Sequence, residues 1–590
     1  MSDHQHTFSR DRLVQKFGEQ PFSLVFSGQG FNWLKTLREA VAAGAGFNVN
    51  SIVERAASLT EPVADELTAA RPFGFDPVDW ASNDDDPAFD ISQAVLSVPG
   101  IFVSQLATLD TLEAQRLSLE KSAVTIGHSQ GALGVHLLKD LTQAAEILAI
   151  AELIGAAGVH AARVNGFIRN GELSPMVSVQ GGTQEQLEEA IAATTADSAD
   201  DATRPIIGLR NTRDSFVVVG RPDDVQRVQS FLQARAAKDA KAIANKERGG
   251  KPFAPVFNPL DVQIAFHHPA MQPAVDQVVE WAKACGLNEE LAEQCAKDVL
   301  VNPEDWVEQV NKAIDAGVWW LLDVGPDGGV VKLTNAVAQG RGALSFAVCD
   351  NDGQALLFDP GMGPTLPKKW TEFAPKLVTS KTGTKVETKF TRLTGRSPMM
   401  LAGMTPTTVD PEIVAAAANA GHWAEMAGGG QVTPEILESN IEKLTGLLNP
   451  GVNAQFNSMF LDPYLWKMQI GGKRLVQRAR ENGAPIDGVV VTAGMPDRDD
   501  AVALIKELRD NGFPWVCFKP GAVKHIKKVL SVARQVPDIP VIIQVEGGKA
   551  GGYIVAEGTP EEVASCAESA TGMYLKELLK QKVKQHTHKK

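Results

Sequence analysis

The sequence is short of the residues that build covalent or metal-held frameworks. Its five cysteines (Cys285, Cys295, Cys349, Cys517 and Cys566) are scattered, with no C-x-x-C pair and no histidine at ligand spacing. That excludes a zinc ribbon and a disulfide scaffold, leaves no metal to expect, and fits a reducing compartment. Positive charge is in deficit too: 57 Lys and Arg face 71 Asp and Glu, a formal charge of −14. Such a balance argues against a general nucleic-acid or membrane-surface binder, whereas a single anionic ligand needs only local cations. No run of about eighteen apolar residues occurs, and the polar start MSDHQHTFSRDR lacks the apolar core of a secretory signal. The expectation is a cytoplasmic protein with neither nucleic acid nor membrane as partner.

What is present is ordinary globular material. With 590 residues, 44% hydrophobic and 22% charged, the chain has enough apolar sequence for two to four packed domains. Residues 21–175 alternate short β-branched or aromatic runs, such as Phe22 to Ser27, with helical stretches such as Ala144 to Arg163, the rhythm of a parallel α/β sheet. From Met176 to about residue 240 the order becomes strand, helix, strand, strand, helix, that of a ferredoxin-like insert. The Lys/Arg-rich stretch AAKDAKAIANKERGGK that follows reads as a solvated helix and loop. Residues 353–396 are rich in Pro, Thr and Lys and weakly periodic, as in a linker. From residue 397 five strand-like runs (MMLAGM, VNAQFNSMF, DGVVVTAGM, WVCFKPG and PVIIQVEGG) are separated by helix-length segments. They read as part of a β/α barrel that would need eight units to close.

The sharpest motif is Gly127-His128-Ser129-Gln130-Gly131, set between the strand-like Ala123 to Ile126 and the helix-like Ala132 to Leu138. Gly-x-Ser-x-Gly at a strand-to-helix junction holds a serine in a tight turn with its hydroxyl presented as a nucleophile. Such a serine needs a base and backbone N–H groups to receive an oxyanion. Gln130 offers one N–H at the start of its helix, and Phe26-Ser27-Gly28-Gln29-Gly30 is the candidate loop for the second. His267 in Ala265-Phe266-His267-His268-Pro269 is the chosen base, with His268 as its competitor.

Taken together, FSGQG, GHSQGALG, AFHHP, NPEDWVEQV and LLDVGPDGG occur in the order found in acyltransferase domains that serve acyl carrier proteins. Residues 20–350 resemble malonyl/acetyl transacylases. That resemblance implies a parallel-sheet α/β hydrolase-like core with the inserted subdomain. It also implies Ser129 as acyl carrier, His267 as general base then acid, the N–H groups of Gln29 and Gln130 as oxyanion hole, and Asn211 as a residue that shapes the site. Malonyl-using members carry an arginine in a Glu-x-Arg-Gly context on the helix after the nucleophile. Here Glu152-Leu153-Ile154-Gly155 puts Ile154 in its place, and Arg163 lies about two and a half turns further on. A carboxylate buried there without a cation costs several kcal/mol, so acetyl-CoA is the expected donor.

The second block is similar to the flavin-dependent enoyl reductase of bacterial single-chain type I fatty acid synthases. The resemblance rests on FTRLTGRSPMMLAGMTPTTVDPEIVAAAANAGHWAEMAGGGQVT, QFNSMFLDPYLWKMQIGGKRLVQRAR, DGVVVTAGMP, FKPG and VEGGKAGG. It implies FMN and NADPH, with Gly403, Met404 and Thr405 presenting backbone to the flavin. Asn457, Thr492 and Lys519 would stand at strand ends, Lys519 stabilising the reduced ring. Implied partners are acyl-CoA, the phosphopantetheine of an acyl carrier protein, other synthase domains and further copies of the chain. After Gly552 the family's pattern stops, and GG-x-IVAEGTPEEVA resembles the C-terminus of the large ATPase subunit of bacterial excision repair. No G-x-x-x-x-G-K-[ST] accompanies it.

The expected layout is therefore an acyltransferase domain over 1–352 with its subdomain at 176–240, a linker over 353–396, an incomplete TIM-type barrel over 397–552, and an unrelated tail over 553–590. With about three units missing, that barrel is expected to bind flavin weakly and to reduce nothing alone. Two other readings stand beside this one. A serine esterase or thioesterase of α/β-hydrolase type would need an acid behind the histidine, for which Asp214 and Asp261 are candidates. A non-catalytic synthase fragment would form no acyl-serine.

Overall fold

The computed structural model describes residues 21–44, 47–83, 85–114, 122–195, 201–245, 253–358, 365–380 and 383–546. The tail over 553–590 and all but the first two residues of the last reductase-like motif lie outside the described residues. The chain divides between Glu372 and Phe373 into two compact units.

In the first unit the strands in chain order are β1 (Phe22–Phe26), β2 (Ile126–Gly127), β3 (Met176–Gln180), β4 (Ile206–Arg210), β5 (Ser215–Val219), β6 (Val256–Pro259), β7 (Glu304–Asp305), β8 (Trp320–Asp323) and β9 (Leu344–Ala347). The main sheet runs β2-β1-β8-β9 and is parallel throughout. Every residue of β1 is buried, as expected of a strand covered on both faces, whose sequence reads as a continuous apolar run rather than an alternation. Helices Ala94–Ala114 and Ala144–Asn165 pack on this sheet and on each other. Both are long and apolar enough to cross a membrane, yet 94% and 83% of their most apolar windows are buried inside the unit. A helix apolar all round belongs in a core.

The inserted subdomain has the sheet order β6-β3-β5-β4-β7. Its first four strands form the antiparallel ferredoxin-like sheet, backed by helices Gln184–Thr195 and Pro222–Ala244. The subdomain runs past the expected boundary at 240, because the closing strand β6 comes only after the Lys/Arg-rich stretch. Part of that stretch belongs to helix Pro222–Ala244. The two-residue β7 adds parallel to β4, pairing Leu209 with Glu304 and Arg210 with Asp305.

The expected linker is not featureless. Helix Asn351–Phe358 crosses its start, and β10 (Lys376–Ser380) and β11 (Gly383–Glu387) form an antiparallel hairpin followed by helix Lys389–Thr394. Weak periodicity there reflects an exposed hairpin with no buried face to impose alternation.

The second unit holds a parallel sheet of six strands, not five: β12 (Met400–Leu401), β13 (Trp423–Ala427), β14 (Ala454–Met459), β15 (Ile486–Thr492), β16 (Trp515–Phe518) and β17 (Val541–Ile543). They pair in sequence order with helices between them, the arrangement of consecutive β/α units. Strand β13 escaped the sequence reading because Glu425 interrupts its apolar run, although all five of its residues are buried. Among the described residues β12 and β17 each have a single neighbour, so the sheet is open rather than a closed barrel.

Candidate active site

Ser129 sits where β2 turns into helix Ala132–Leu137, with φ +57°. Both glycines of the motif are dictated by crowding. A methyl on Gly127 would run into the Gly131 carbonyl, and one on Gly131 into the Phe26 carbonyl of the neighbouring strand. The turn therefore closes directly onto β1, and the strained φ of the serine is the conformation that remains.

Ser129 Oγ lies 2.7 Å from His267 Nε2. The other ring nitrogen, Nδ1, donates to the Asn302 carbonyl at 2.8 Å, which fixes the tautomer and leaves Nε2 as the acceptor for the hydroxyl proton. Complete burial, partly offset by the Asn302 contact, pulls His267 down to about 4, so the imidazole is neutral and basic at physiological pH. We predict that acylation is flat from about pH 5 to 7 and falls tenfold per unit below about 4, as the fraction of neutral imidazole falls. The pH dependence of single-turnover acylation checks this.

The competitor His268 is a structural residue. Its Nε2 donates to the Arg204 carbonyl at 2.8 Å, and its Nδ1 accepts from the Ala270 N–H at 3.1 Å. The two acids weighed for a hydrolase triad are also elsewhere. Asp261 pairs with Arg169 at 3.2 Å, and Asp214 accepts from the Thr212 hydroxyl at 3.0 Å. The third member behind the histidine is a backbone carbonyl.

Gln29 and Gln130 are held by their side chains. Gln29 Nε2 donates to Gln130 Oε1, Ser97 Oγ donates to Gln29 Oε1 at 2.8 Å, and Gln130 Nε2 donates to the Val98 carbonyl. The loop between them presses on the elbow: a Cβ on Gly28 would stand 2.7 Å from Ser129 Cβ and 3.1 Å from Gln130 N. From behind, Gln105 Nε2 ties the Ser27 carbonyl at 2.8 Å to the Gly325 carbonyl at 2.9 Å. Asp323 braces that second loop by accepting from Gly325 N and Val330 N, while burial lifts its carboxyl to about 7. Asn211 accepts from His128 Nε2 at 2.8 Å, and the His128 ring meets Trp306 edge-on. It therefore reaches Ser129 through the neighbouring residue.

Ile154 is wholly buried in the main apolar core, and its helix neighbour Glu152 is held by a buried ion pair with Arg71. Arg163 is exposed near the end of the same helix and supplies no cation to that core. Sequence reasoning missed Glu304: its Oε2 accepts the Ser129 backbone N–H, and burial lifts its carboxyl to about 8. The only trace in the sequence was its place in NPEDWVEQV.

In the second unit the expected flavin residues divide. Gly403 N donates to Glu425 Oε2 at 2.7 Å, Asn457 Nδ2 donates to the same oxygen at 2.8 Å, and Lys519 Nζ stands 3.7 Å from it. Lys519 also pairs with Glu546 at 3.0 Å. The Met404 N–H is taken by Thr408 Oγ at 2.8 Å, Thr405 packs against Gly429, and the Thr492 carbonyl accepts from Phe460 N. A cavity of about 580 Å³ lies at the ends of β15 and β16, but of the six only Lys519 lines it. Gly403, Met404, Asn457 and Lys519 have protein partners for the polar groups expected to face a ring, and the cavity stands to one side. The residues present therefore do not fit the flavin that the resemblance implies. Among the described residues no group of three or more His, Cys, Asp or Glu side chains is placed to hold a metal ion.

The fold and the site together define an α/β domain with a ferredoxin-like insert and a serine–histidine pair at a nucleophile elbow. The profile of the fatty acid synthase central AT domain matches residues 175–259. The fatty acid synthase subunit beta of Schizosaccharomyces pombe is 25% identical over 591 residues, 90% of this chain and 28% of that one. The subunit beta of Saccharomyces cerevisiae is 28% identical over 427 residues, 64% of this chain and 20% of that one. The beta subunit aflB of Emericella nidulans is 30% identical over 412 residues, 65% and 19% of the two chains. The chain thus spans between 19% and 28% of the length of these relatives. Malonyl-CoA:acyl carrier protein transacylase from Xanthomonas oryzae superposes over 58% of this chain and 98% of its own, at 17% identity and a TM-score of 0.43. The chain is fatty acid synthase beta-subunit-like and carries a central acyltransferase-type domain.

Proposed function

We propose that the first unit transfers an acetyl, chain-priming group from CoA to the pantetheine thiol of an acyl carrier protein through an ester on Ser129. The observation that carries the reading is the 2.7 Å contact from Ser129 Oγ to His267 Nε2, with Nδ1 anchored on a backbone carbonyl. His267 Nε2 takes the hydroxyl proton as Oγ attacks the thioester carbon. The oxyanion is received by the N–H groups of Gln29 and Gln130, and the CoA thiolate leaves with the proton from Nε2. In the second half the pantetheine thiol gives its proton to Nε2 and attacks the acyl-serine, and the ester bond breaks as Ser129 Oγ leaves with that proton. General-base assistance of this kind supplies about 10²–10⁴-fold.

Acetyl is favoured over malonyl because Ile154 offers apolar surroundings, and Arg71, which reaches its helix, is paired with Glu152. Incubation with radiolabelled acetyl-CoA and peptide mapping should place the label on Ser129; absence of label removes the transferase reading in favour of a non-catalytic fragment. In competition, acetyl-CoA should load at least about tenfold faster than malonyl-CoA, a difference of about 1.4 kcal/mol. Ile154→Arg should narrow or invert that ratio while lowering the melting temperature, since its charge has no partner without malonate. An unchanged ratio in a folded variant would remove Ile154 from selectivity.

A further inference from the structure

One half-buried glutamate beside Ser129 has no part in the acyl-transfer steps. Glu304 lies on β7, the short strand that ties the inserted subdomain to the elbow. Its Oε2 accepts the backbone N–H of Ser129, and its Oε1 is buried with no hydrogen-bond partner. It stands between two cavities, one of about 340 Å³ that also reaches Ser129, the other opening along β4. A carboxyl half satisfied by the nucleophile's own amide, with its other oxygen left dry, has to be explained by something other than packing.

We propose that Glu304 is a positioning residue for Ser129, gripping the nucleophile's amide as a neutral acid, and that its ionisation switches the site off. This rests on the acyl-transfer reading of Ser129 and His267. The Ser129 amide adjoins the turn where negative charge develops during attack. A neutral carboxyl there orients the amide without opposing that charge, whereas a carboxylate repels both the serine alkoxide and the oxyanion in a region of low dielectric. The repulsion is poorly compensated. On the side of Ser129 the charged and titratable groups facing Glu304 are His136, Lys139, Asp298, Asp305, Glu308 and Lys312. On the side of β4 they are Glu188, Arg204 and Arg210. Asp298 and Asp305 raise the carboxyl further, Arg210 is committed to Asp305 at 2.9 Å, and Lys312 to Glu308 at 2.7 Å. Burial is the largest cause of the rise to about 8, so loss of the proton falls just above neutrality.

The test is the pH profile of Ser129 acylation by acetyl-CoA in the full chain. Modification of Ser129 by phenylmethanesulfonyl fluoride, corrected for reagent hydrolysis, serves as a second probe that needs no acyl donor. In the wild type both rates should fall about tenfold per pH unit above 8. Glu304→Gln keeps an acceptor for the amide and cannot ionise, so its rates should not decline there. Glu304→Ala should be slower than Glu304→Gln at every pH. A wild-type profile flat to pH 9.5 overturns the proposal without any variant. So does the same alkaline decline in Glu304→Gln, or equal loss in both variants at all pH values. If sulfonylation follows the expected profile while acetyl-CoA never labels Ser129, the transferase reading fails and the role of Glu304 stands.

Discussion

Ser129→Ala is expected to abolish acyl-enzyme formation and to lower acylation of a carrier protein by about 10⁴-fold or more. Only Oγ is lost, and Oγ is both the proposed nucleophile and the partner of His267 Nε2. His267→Ala should cost nearly as much, because without Nε2 the hydroxyl keeps its proton at neutral pH. The double variant should be little worse than either, since the two groups act as a unit. Residual transfer in Ser129→Ala measures what the loop of Gln29, the turn of Gln130 and substrate binding contribute alone. Ser129→Ala should also fold normally, because the crowding that sets its φ comes from Gly127, Gly131 and Phe26 rather than from the hydroxyl. Rapid-quench labelling with acetyl-CoA, set beside a melting curve, reads both expectations. A Ser129→Ala protein that transfers at the wild-type rate would place the acyl carrier elsewhere.

The pairing of Ser129 with His267 was legible in the sequence because each sits in a short motif of distinctive residue types, and the turn glycines betray the crowding. The ferredoxin-like rhythm was legible because its strands and helices alternate cleanly from Met176 to the end of helix Pro222–Ala244. Its closing strand was not: β6 reads VFNP, four residues with none buried, after a long solvated segment. The anchor of His267 was invisible for another reason. The Asn302 contact uses a carbonyl that any residue provides, so no letter marks it. The alternative hydrolase reading therefore looked to aspartates, and the structure places Asp214 and Asp261 in unrelated contacts. Glu304 was hidden in Asn302-Pro303-Glu304-Asp305, a polar run that looks like a solvated loop, because β7 is only two residues long and its burial comes from β4 and the elbow. Glu425 was hidden by the opposite error, a charged letter inside a buried strand that broke the apolar run.

Glu425 carries the largest stability effect expected in the second unit. It has no solvent exposure, and its carboxylate gathers four groups. Trp423 Nε1 donates to Oε1 at 2.8 Å, Gly403 N and Asn457 Nδ2 donate to Oε2 at 2.7 and 2.8 Å, and Lys519 Nζ stands at 3.7 Å. These tie β13 to β14, to the end of β16 and to the loop after β12, so one side chain joins the polar ends of four of the six strands. Glu425→Ala leaves three donors without an acceptor and a lysine, 2% exposed in its side chain, with only Glu546. Removing one partner of a buried pair costs about 3–5 kcal/mol, and an unsatisfied buried donor about 1–3 kcal/mol. The loss should thus be at least about 3 kcal/mol, seen as a lower urea midpoint and faster hydrogen exchange in β13 to β16, with the first unit unaffected. The three N–H donors lie much closer than Lys519, so directional hydrogen bonding rather than the ion pair should dominate. Lys519→Met should then cost less than Glu425→Ala, and Glu425→Gln should fall between them, since an amide keeps one acceptor oxygen. If Lys519→Met proves as costly as Glu425→Ala, the ion pair and not the hydrogen-bond hub holds the strand ends together.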